Sequence, residues 1–441
     1  MQQRPDHLDV YFGSDRVGAV YDSAIHDNTP LTFEYAPNWL RARQRMTLAT
    51  IPFQAGRQAT PEVQAFFENL LPEGDLRDYL ATQRKASTLF ALLLEVAGDT
   101  VGGFVLVAPG QKLQPPRYQA TTWQAIATAL ATRSAAAIDI RSRGARISLA
   151  GAQDKTSIAL FDDGVPKLPK GTAPSTHILK PNIRRLPKVW HSAANEAIVM
   201  RAAALAGLPT AEVFYEPHTQ ACVVRRFDRQ LRTDGTANGT PNGTSNGTSN
   251  GTLTRLVQYD LCQLAAKVSS RKYEKEGGPS LQACAELIRR YSAQPAIDLR
   301  HLVRWVFFNL YVGNNDSHAK NLSIYSLPGQ GVALTPFYDL MCTRLYPCLS
   351  SEFAFAIGGE VRPGQMTSDN LTLMARQLNM QPRFVLQQAQ EMAQRVPPAV
   401  AQAVHDITPA LTPSARNLAQ RLERFIASTT KKLAARLATT R

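Results

Sequence analysis

The residues best suited to chemistry form a short polar run directly after the apolar segment WVFFNLYVG. The run is Asn315-Asp316-Ser317-His318-Ala319-Lys320-Asn321, in which Asp316 and Asn321 have the D-x-x-x-x-N spacing of a kinase catalytic loop. In such a loop the Asp orients the proton of an attacking hydroxyl, and the Asn oxygen holds a Mg²⁺ on the nucleotide phosphates. The run therefore predicts phosphoryl transfer. The same spacing also occurs by chance, and Asn315 or Asp316 could instead be a turn residue that ends the preceding helix.

A second carboxylate, Asp339, ends the segment Thr335-Pro336-Phe337-Tyr338-Asp339. The segment follows the strand-like LSIYS and a turn, which is where protein kinases carry a second Mg²⁺-binding Asp. Two such ligands on separate short loops can place metal between the β- and γ-phosphates. The alternative is that Asp339 caps a helix over residues 340–345.

Two further pieces precede these loops in the chain. Lys180 ends the strand-like STHILK, where it could reach the α- and β-phosphates and be held by Glu196 of the next predicted helix. Most lysines at strand ends are merely solvated. The turn SLAGAQDKT over 148–156 has small residues that let backbone N–H groups approach phosphate oxygens, although it fits no generic nucleotide motif and a plain β-turn would explain it equally well. The linear order of the four pieces is that of the kinase machinery.

The elements that must position these residues divide into two parts. Short alternating runs separated by Gly, Asp or Pro predict a β-meander near the N-terminus, with a helical insert over 61–97. A predicted helix bearing Glu196 has Ser192 as its N-cap and ends before Gly207 and Pro209. From about Leu253 onward helical patterns dominate. The fold class is therefore α+β, with a mixed, β-rich N-terminal lobe before a mostly α-helical C-terminal lobe.

We predict five segments along the chain. They are an N-terminal subdomain over 1–110, a linker or helical connection over 111–145, a nucleotide-binding part over 146–230, a loop over 231–252, and the helical lobe over 253–441. The loop contains the repeat TANGTPNGTSNGTSNGT, which has no apolar residue larger than alanine to offset the entropy of ordering. The repeat therefore predicts a flexible surface loop without chemistry.

Composition bounds the class of protein. Lys and Arg number 49 against 35 Asp and Glu, a formal charge of +14 that suits partners carrying phosphate. Five Cys without metal-ligand spacing suggest a reducing compartment. The N-terminus lacks a signal-peptide pattern and no apolar run is long enough to cross a bilayer, so we expect a cytoplasmic protein without a membrane partner.

The sequence closely resembles the HipA family over most of its length. The matching segments are ISLAGAQDKTSIAL, LPKGTAPSTHILKP, NEAIVMRAAALAGL, RRFDR, QYDLCQ, KYEKEGGP, NNDSHAKNLSIY and LTPFYDLMCT, with weaker likeness in VYFGSDRVGAVYD and FFENLLPEGDLRDYL. The resemblance implies a two-lobed, kinase-like HipA fold and an ATP- and Mg²⁺-dependent serine/threonine kinase that is the toxin of a toxin–antitoxin pair. It also implies a HipB-like helix-turn-helix antitoxin, operator DNA bound through that antitoxin, and a protein substrate such as glutamyl-tRNA synthetase.

The resemblance assigns roles residue by residue. Asp316 would be catalytic, Asn321 and Asp339 would bind the metal, and Ser148 would be an autophosphorylation site. The nucleotide would be bound by Ala150, Gly151, Ala152, Gln153, Asp154, Lys155, Lys180, Glu196, Arg225, Arg226, Phe227, Asp228, His318, Ala319, Lys320, Asn321, Tyr338 and Asp339. Residues 225–228 within RRFDR would form the adenine hinge.

Two positions depart from the family pattern, and two other functions stay open. Arg225 and Tyr259 each stand where the family commonly has Glu, which could alter nucleotide affinity or substrate choice. A kinase-weak corepressor that binds a helix-turn-helix antitoxin on DNA would be compatible with the positive charge. A small-molecule kinase would need the same catalytic constellation.

Overall fold

The structure is a computed structural model of the chain. It describes residues 5–23, 31–42, 47–73, 77, 81–82, 86, 88–96, 98–111, 113–132, 154–184, 186, 188–233 and 251–438. Within these ranges no helix combines the length and the apolar character needed to cross a membrane. The chain forms two compact units, the first from residues 1–179 and 225–258 and the second from 180–224 and 259–441.

The first unit begins with a four-stranded antiparallel sheet in the order β3-β2-β1-β4. Its strands are β1 (His7–Phe12), β2 (Asp15–Asp22), β3 (Leu31–Tyr35) and β4 (Phe104–Val107). The alternating runs of the sequence place Leu8, Val10, Phe33 and Tyr35 in the core, as period-two patterning requires. The predicted β-meander is confirmed.

Helices and three strand pairs complete the first unit. The helices are α1 (Pro37–Arg41), α2 (Pro61–Glu68), α3 (Leu89–Val96) and α4 (Trp123–Thr132), and the pairs are β5 (Arg117–Ala120) with β7 (Lys167–Lys170), β6 (Thr156–Ile158) with β8 (His177–Lys180), and β11 (Arg229–Thr233) with β12 (Gly251–Arg255). The aromatic residues of α2 build the core. Phe66 meets Phe67 edge-on at 4.9 Å between ring centroids and Phe104 at 5.8 Å.

The second unit is mostly helical. Its helices are α5 (Ser192–Leu205), α6 (Leu261–Leu264), α7 (Leu281–Tyr291), α8 (Pro295–Val312), α9 (Ser368–Gln377), α10 (Pro382–Ile407) and α11 (Pro413–Ala438). The side chains of Trp305, Phe307, Phe308 and Tyr311 on α8 are fully buried. Helix α10 packs against α5, α8 and α11. The site residues therefore stand on a helical base with a continuous apolar core.

Short strands in the second unit frame the polar loops. β9 (Val213–Glu216) pairs with β10 (Ala221–Arg225), and β13 (Gln258–Asp260), β14 (Ser323–Leu327) and β15 (Gly331–Leu334) form a sheet in that order. The polar run around Asp316 leads into β14, and the segment that ends at Asp339 follows β15. One hairpin therefore joins the two loops.

The described elements differ from several predicted bounds. Residues 180–224 fall in the same compact unit as the C-terminal helices, where α5 packs against α10, although the sequence places them in a segment over 146–230. Within the predicted loop over 231–252, residues 231–233 and 251–252 pair as strands, and 234–250 lie outside the described residues. The chain at Leu253 runs first through β12 and β13. The predicted connection over 111–145 contains the strand β5 and the helix α4, and the division into five segments stays a prediction.

Two local predictions are also wrong. His191 in the left-handed conformation, and not Ser192, is the N-cap of α5, and the Ser192 hydroxyl instead accepts a hydrogen bond from the N–H of Ile183. No helix spans 340–345, where only Thr343–Leu345 form a single 3₁₀ turn. Asp339 therefore does not cap a helix, which removes the alternative explanation for this carboxylate.

Candidate active site

The polar loop begins where α8 stops at Gly313. Gly313 adopts a φ of 73°, a left-handed conformation that glycine reaches without steric cost, and its N–H closes the last helical turn on the carbonyl of Asn309. The Asn314 amide then donates to Asn309 Oδ1 at 2.8 Å. The helix is thus finished by Gly313 and Asn314, and Asp316 lies beyond its last turn. Asp316 is therefore not needed to end the helix.

Asp316 is exposed although its neighbours Asn315 and Ser317 are buried. Its backbone is held from both sides, because its N–H donates to Asn314 Oδ1 at 3.3 Å and its carbonyl accepts from the N–H of His318 at 3.1 Å. The hydroxyl of Tyr273 donates to Asp316 Oδ1. A rigid loop thus presents one carboxylate to solvent, which is the placement that a group orienting a substrate hydroxyl requires.

Asn321 lies in a 3₁₀ turn and points back at the same loop. Its Nδ2 donates to the carbonyl of Asp316 at 3.0 Å, so the amide is oriented with its oxygen turned away from that carbonyl. Amide and carboxylate oxygens are the ligands that Mg²⁺ prefers. Asn321 and Asp339 therefore have the donor chemistry to hold this ion, and bound Mg²⁺ would neutralise charge on the nucleotide phosphates. Among the described residues, no three His, Cys, Asp or Glu side chains group as a metal site.

Lys180 joins two carboxylates from different elements. Its Nζ lies 2.6 Å from Glu196 Oε1 on α5 and 2.7 Å from Asp339 Oδ1. The Lys180 and Glu196 side chains are 8% and 2% exposed, whereas Asp339 is 44% exposed. Burial alone would lower the pKa of Lys180, but the charges of Asp339 and Glu196 outweigh it and raise that pKa. The ammonium is therefore fully charged at neutral pH.

The backbone of Asp339 is held in an unusual conformation. Its φ is 58°, which costs a non-glycine residue free energy unless the surroundings impose it. The preceding Tyr338 provides an anchor, because its hydroxyl lies 2.7 Å from Ser323 Oγ and 3.0 Å from the carbonyl of Lys320. Burial raises the pKa of Tyr338, so the phenol stays neutral. Tyr338 thus ties the Asp339 segment to the end of the loop that carries Asp316.

The remaining residues of the loop have mixed surroundings. Lys320 Nζ forms an ion pair with Asp260 Oδ2 at 3.0 Å, and the His318 ring meets the Tyr273 ring edge-on at 5.0 Å. Ala319 is fully buried. The Lys320 ammonium therefore neutralises a protein carboxylate, and contact of His318, Ala319 and Lys320 with nucleotide stays a prediction.

The predicted adenine hinge is built on buried ion pairs. Arg226 Nη2 lies 2.7 Å from Asp228 Oδ2, and Arg229 Nη2 lies 2.8 Å from Asp99 Oδ1. Arg226, Asp228 and Arg229 are almost completely buried, whereas Arg225 is exposed and Phe227 is partly exposed. The side chains of Arg226 and Asp228 are therefore committed to this cluster. Contact of the nucleotide with the backbone or with Arg225 and Phe227 stays a prediction.

The predicted phosphate-binding turn is described only at its end. Ser148 and residues 150–153 lie outside the described residues. Asp154 and Lys155 are described and partly exposed, and they lead directly into β6. Phosphate binding by this turn and autophosphorylation of Ser148 stay predictions.

Sequence reasoning missed two participants. Tyr273, which donates to Asp316, lies in the KYEKEGGP segment, but a lone Tyr in a charged turn carries no recognisable chemistry. Asp99 lies more than a hundred residues before the arginines that it pairs with. An acidic residue in a Gly-rich turn, EVAGDTVGG, gave no indication of a buried role. The sequence signal for such a partner is the group of three arginines in RRFDR, because buried arginines need acidic counter-charges.

A buried Lys–Glu pair, a second carboxylate on that Lys, and an exposed Asp on a rigid polar loop are the parts of a kinase active site. Comparisons with known proteins agree with a kinase site. The protein-family model described as "HipA-like C-terminal domain" matches residues 147–400, and the family model described as "HipA N-terminal domain" matches residues 8–107. The chain belongs to the HipA family of kinases, and the resemblance seen in the sequence is confirmed.

Individual relatives cover nearly the whole chain. A Sinorhizobium fredii protein named "Putative kinase Y4mE" is 35% identical over 87% of this chain and 89% of its own. The "Serine/threonine-protein kinase toxin HipA" of Shewanella oneidensis is 26% identical over 91% of this chain and 90% of its own. In the solved complex of Shewanella oneidensis HipA with HipB and operator DNA, a chain superposes with a TM-score of 0.75 at 25% identity, covering 97% of this chain and 96% of that one. The predicted α+β HipA fold is confirmed.

Proposed function

We propose that this protein is an ATP- and Mg²⁺-dependent serine/threonine protein kinase. The observation that carries the proposal is the position of Lys180, whose ammonium lies between buried Glu196 and partly exposed Asp339. A lysine that only needed a counter-ion would be satisfied by Glu196. Its second contact is with Asp339, a partly exposed carboxylate on a strained backbone. This contact places a cation beside a side chain that can bind a metal ion, as phosphate binding requires.

Each residue then has a distinct role in transfer of the γ-phosphoryl group. Lys180, held by Glu196, binds the phosphates, and Asn321 and Asp339 hold Mg²⁺. Asp316 accepts a hydrogen bond from the substrate hydroxyl and orients its oxygen toward phosphorus. Phosphoryl transfer needs little covalent chemistry from the protein, so positioning and charge neutralisation account for most of the rate.

We further propose that the kinase is the toxin of a toxin–antitoxin pair. The Shewanella oneidensis relative is named a serine/threonine-protein kinase toxin, and its solved complex contains HipB and operator DNA. The formal charge of +14 supports assembly with a DNA-bound partner. The proposed partner is a HipB-like helix-turn-helix antitoxin that carries the complex to DNA. The proposed substrate is a protein of the translation apparatus such as glutamyl-tRNA synthetase, on the family resemblance.

The first experiment compares wild-type protein with Asp316→Ala in the presence of ATP and Mg²⁺. Both proteins are incubated alone, with purified glutamyl-tRNA synthetase, and with a lysate freed of small molecules, and products are read by intact mass and phosphopeptide mapping. We expect phosphate on a serine or threonine with the wild type, and only slow residual transfer with Asp316→Ala. Two further variants test the other contacts separately. Lys180→Met removes the proposed contact with the phosphates, and Asp339→Asn alters the proposed metal ligand.

Three other outcomes would contradict parts of the proposed function. If the protein binds ATP but transfers no phosphate, and still binds a helix-turn-helix partner on DNA, the function would be that of a corepressor and not of a kinase. Phosphate found on Tyr, His or a small molecule but on no Ser or Thr would refute the proposed substrate class. Transfer by Asp316→Ala at the wild-type rate would remove Asp316 from its role.

A further inference from the structure

Tyr273 contacts the proposed catalytic carboxylate directly. Its hydroxyl donates a hydrogen bond to Asp316 Oδ1, and its ring packs edge-on against His318 at 5.0 Å. The two tyrosine contacts therefore reach both the reactive group and the loop that carries it. In the sequence Tyr273 and Asp316 are separated by 43 positions, so the contact depends on the tertiary fold.

The turn that carries Tyr273 is built to hold it in place. The carbonyl of Tyr273 accepts hydrogen bonds from the N–H groups of Glu276 at 3.0 Å and Gly278 at 2.9 Å. A Cβ on Gly278 would lie 2.4 Å from the carbonyl oxygen of Arg271 and 2.7 Å from that of Tyr273, so only glycine allows this close return of the backbone.

A side chain from the same turn anchors it to another segment of the second unit. Glu274 Oε2 accepts a hydrogen bond from the N–H of Ala356 at 2.9 Å. Glu274 is half-buried, and this burial raises the pKa of its carboxyl. The position of the Tyr273 hydroxyl is thus set by the backbone on one side and by an anchored neighbour on the other.

The hydrogen bond from Tyr273 restricts rotation of the Asp316 carboxylate. The terminal torsion of an Asp side chain is broad, so an exposed carboxylate rotates readily. A carboxylate has two oxygens and about four acceptor positions, so one oxygen can be held while the other remains for a substrate. We propose, building on the proposed kinase function, that Tyr273 is a positioning residue that holds Oδ1 and directs Oδ2 toward the substrate hydroxyl.

This role predicts a particular kinetic pattern for Tyr273→Phe. The variant keeps the ring against His318 and removes only the donor. If Tyr273 acts through Asp316, kcat for the protein substrate falls roughly tenfold, because one hydrogen bond to a charged group is lost. KM for ATP and for the protein substrate should not change, since neither substrate contacts the phenol in this proposal. Tyr291→Phe on α7, outside the site, is the matched control and should behave as wild type.

The decisive measurement is a double-mutant cycle with Asp316→Ala, using radiolabelled ATP to follow slow transfer. A positioning residue has no effect once its target is absent, so Tyr273→Phe should not slow the residual transfer of Asp316→Ala. An equal loss in both backgrounds would mean that Tyr273 only supports the fold, and the proposal would be overturned. Thermal unfolding of Tyr273→Phe is measured alongside and should match that of Tyr291→Phe.

The outcomes separate this proposal from the function on which it rests. If the wild type transfers no phosphate, the proposed kinase function fails. If the wild type is active, Asp316→Ala is impaired and Tyr273→Phe equals wild type, the function stands and the positioning role is wrong. A lowered KM for the protein substrate with unchanged kcat would also overturn positioning, because it would show that the phenol competes with the substrate for Asp316.

Discussion

Replacement of Lys180 by Met tests how the charges of the site are balanced. The substitution keeps most of the length of the side chain and removes its charge, which leaves the carboxylates of Glu196 and Asp339 without the ammonium. Glu196 is 2% exposed, and a buried ion that loses its partner costs about 3–5 kcal/mol. Asp339 is 44% exposed, so water replaces most of what it loses. The buried pair therefore dominates the expected cost.

The expected result is a lower unfolding temperature for Lys180→Met, by roughly 6–20 °C at about 2–4 °C per kcal/mol for a unit of this size. Asp339→Asn should cost about 1 kcal/mol or less, because its carboxylate is largely hydrated already. Adding Glu196→Gln to Lys180→Met should restore most of the lost stability, since no buried charge then remains. The assay is calorimetric thermal unfolding of the four proteins, with activity measured in parallel.

The pH dependence of this effect follows from the sign of the pKa shift. The pKa of Lys180 is raised in the folded protein, so its contribution is complete below the unfolded value of about 10.4 and is lost only as the pH rises through the folded value. The contribution of Lys180 to the stability of the wild type should therefore be constant from about pH 6 to pH 8. Equal losses for Lys180→Met and Asp339→Asn, or no recovery in the double variant, would refute the assignment of the cost to Glu196.

Three further predictions concern other parts of the chain. Asp339→Asn should weaken Mg²⁺-dependent nucleotide binding by about tenfold or more, because a charged metal ligand is lost, and calorimetric titration of ATP with and without Mg²⁺ would show it; unchanged binding would count against the metal role. Asp99→Asn should cost about 3–5 kcal/mol near pH 7, since Asp99 is fully buried and pairs with Arg226, Arg229 and Arg255 at 3.3, 2.8 and 3.1 Å. Burial would raise the pKa of Asp99, but the three arginine charges lower it. The contribution of Asp99 to the free energy of unfolding is therefore present above about pH 4 and is lost as the pH falls through the folded pKa. The thermal stabilities of wild type and Asp99→Asn should converge on acidification, and a constant difference down to about pH 3 would contradict the reasoning. Gly278→Ala should lower both kcat and stability, because the new Cβ would lie 2.4 Å from the Arg271 carbonyl oxygen and 2.7 Å from that of Tyr273. The control is Gly364→Ala, whose added Cβ makes an ordinary contact 3.7 Å from Arg436 Nη1; equal activity in the two variants would argue against the close contact at Gly278.

Local patterns in the sequence predicted the site to a useful extent. The spacing of Asp316 and Asn321, the strand-end position of Lys180 and the helix bearing Glu196 each follow from residue type and neighbouring periodicity, and the structure joins Lys180 to Glu196 as expected. These are short-range features, because a turn, a strand end or a helical turn depends mainly on residues within a few positions. The α+β class follows for the same reason.

Only the tertiary structure decided the other partners. Packing between distant segments brings Lys180 to Asp339, 159 residues away, and the Tyr273 hydroxyl to Asp316. It also brings Asp99 to Arg226 and Arg229 of RRFDR. The grouping of 180–224 with the C-terminal helices has the same origin, since α5 is buried along most of its length and packs against α10. A carboxylate in the sequence has no preferred partner until burial removes water, because only then does the nearest opposite charge dominate its electrostatic free energy. Candidate site residues could therefore be named from the sequence, except for Tyr273, whereas the ion pairs and hydrogen bonds that hold them required the fold.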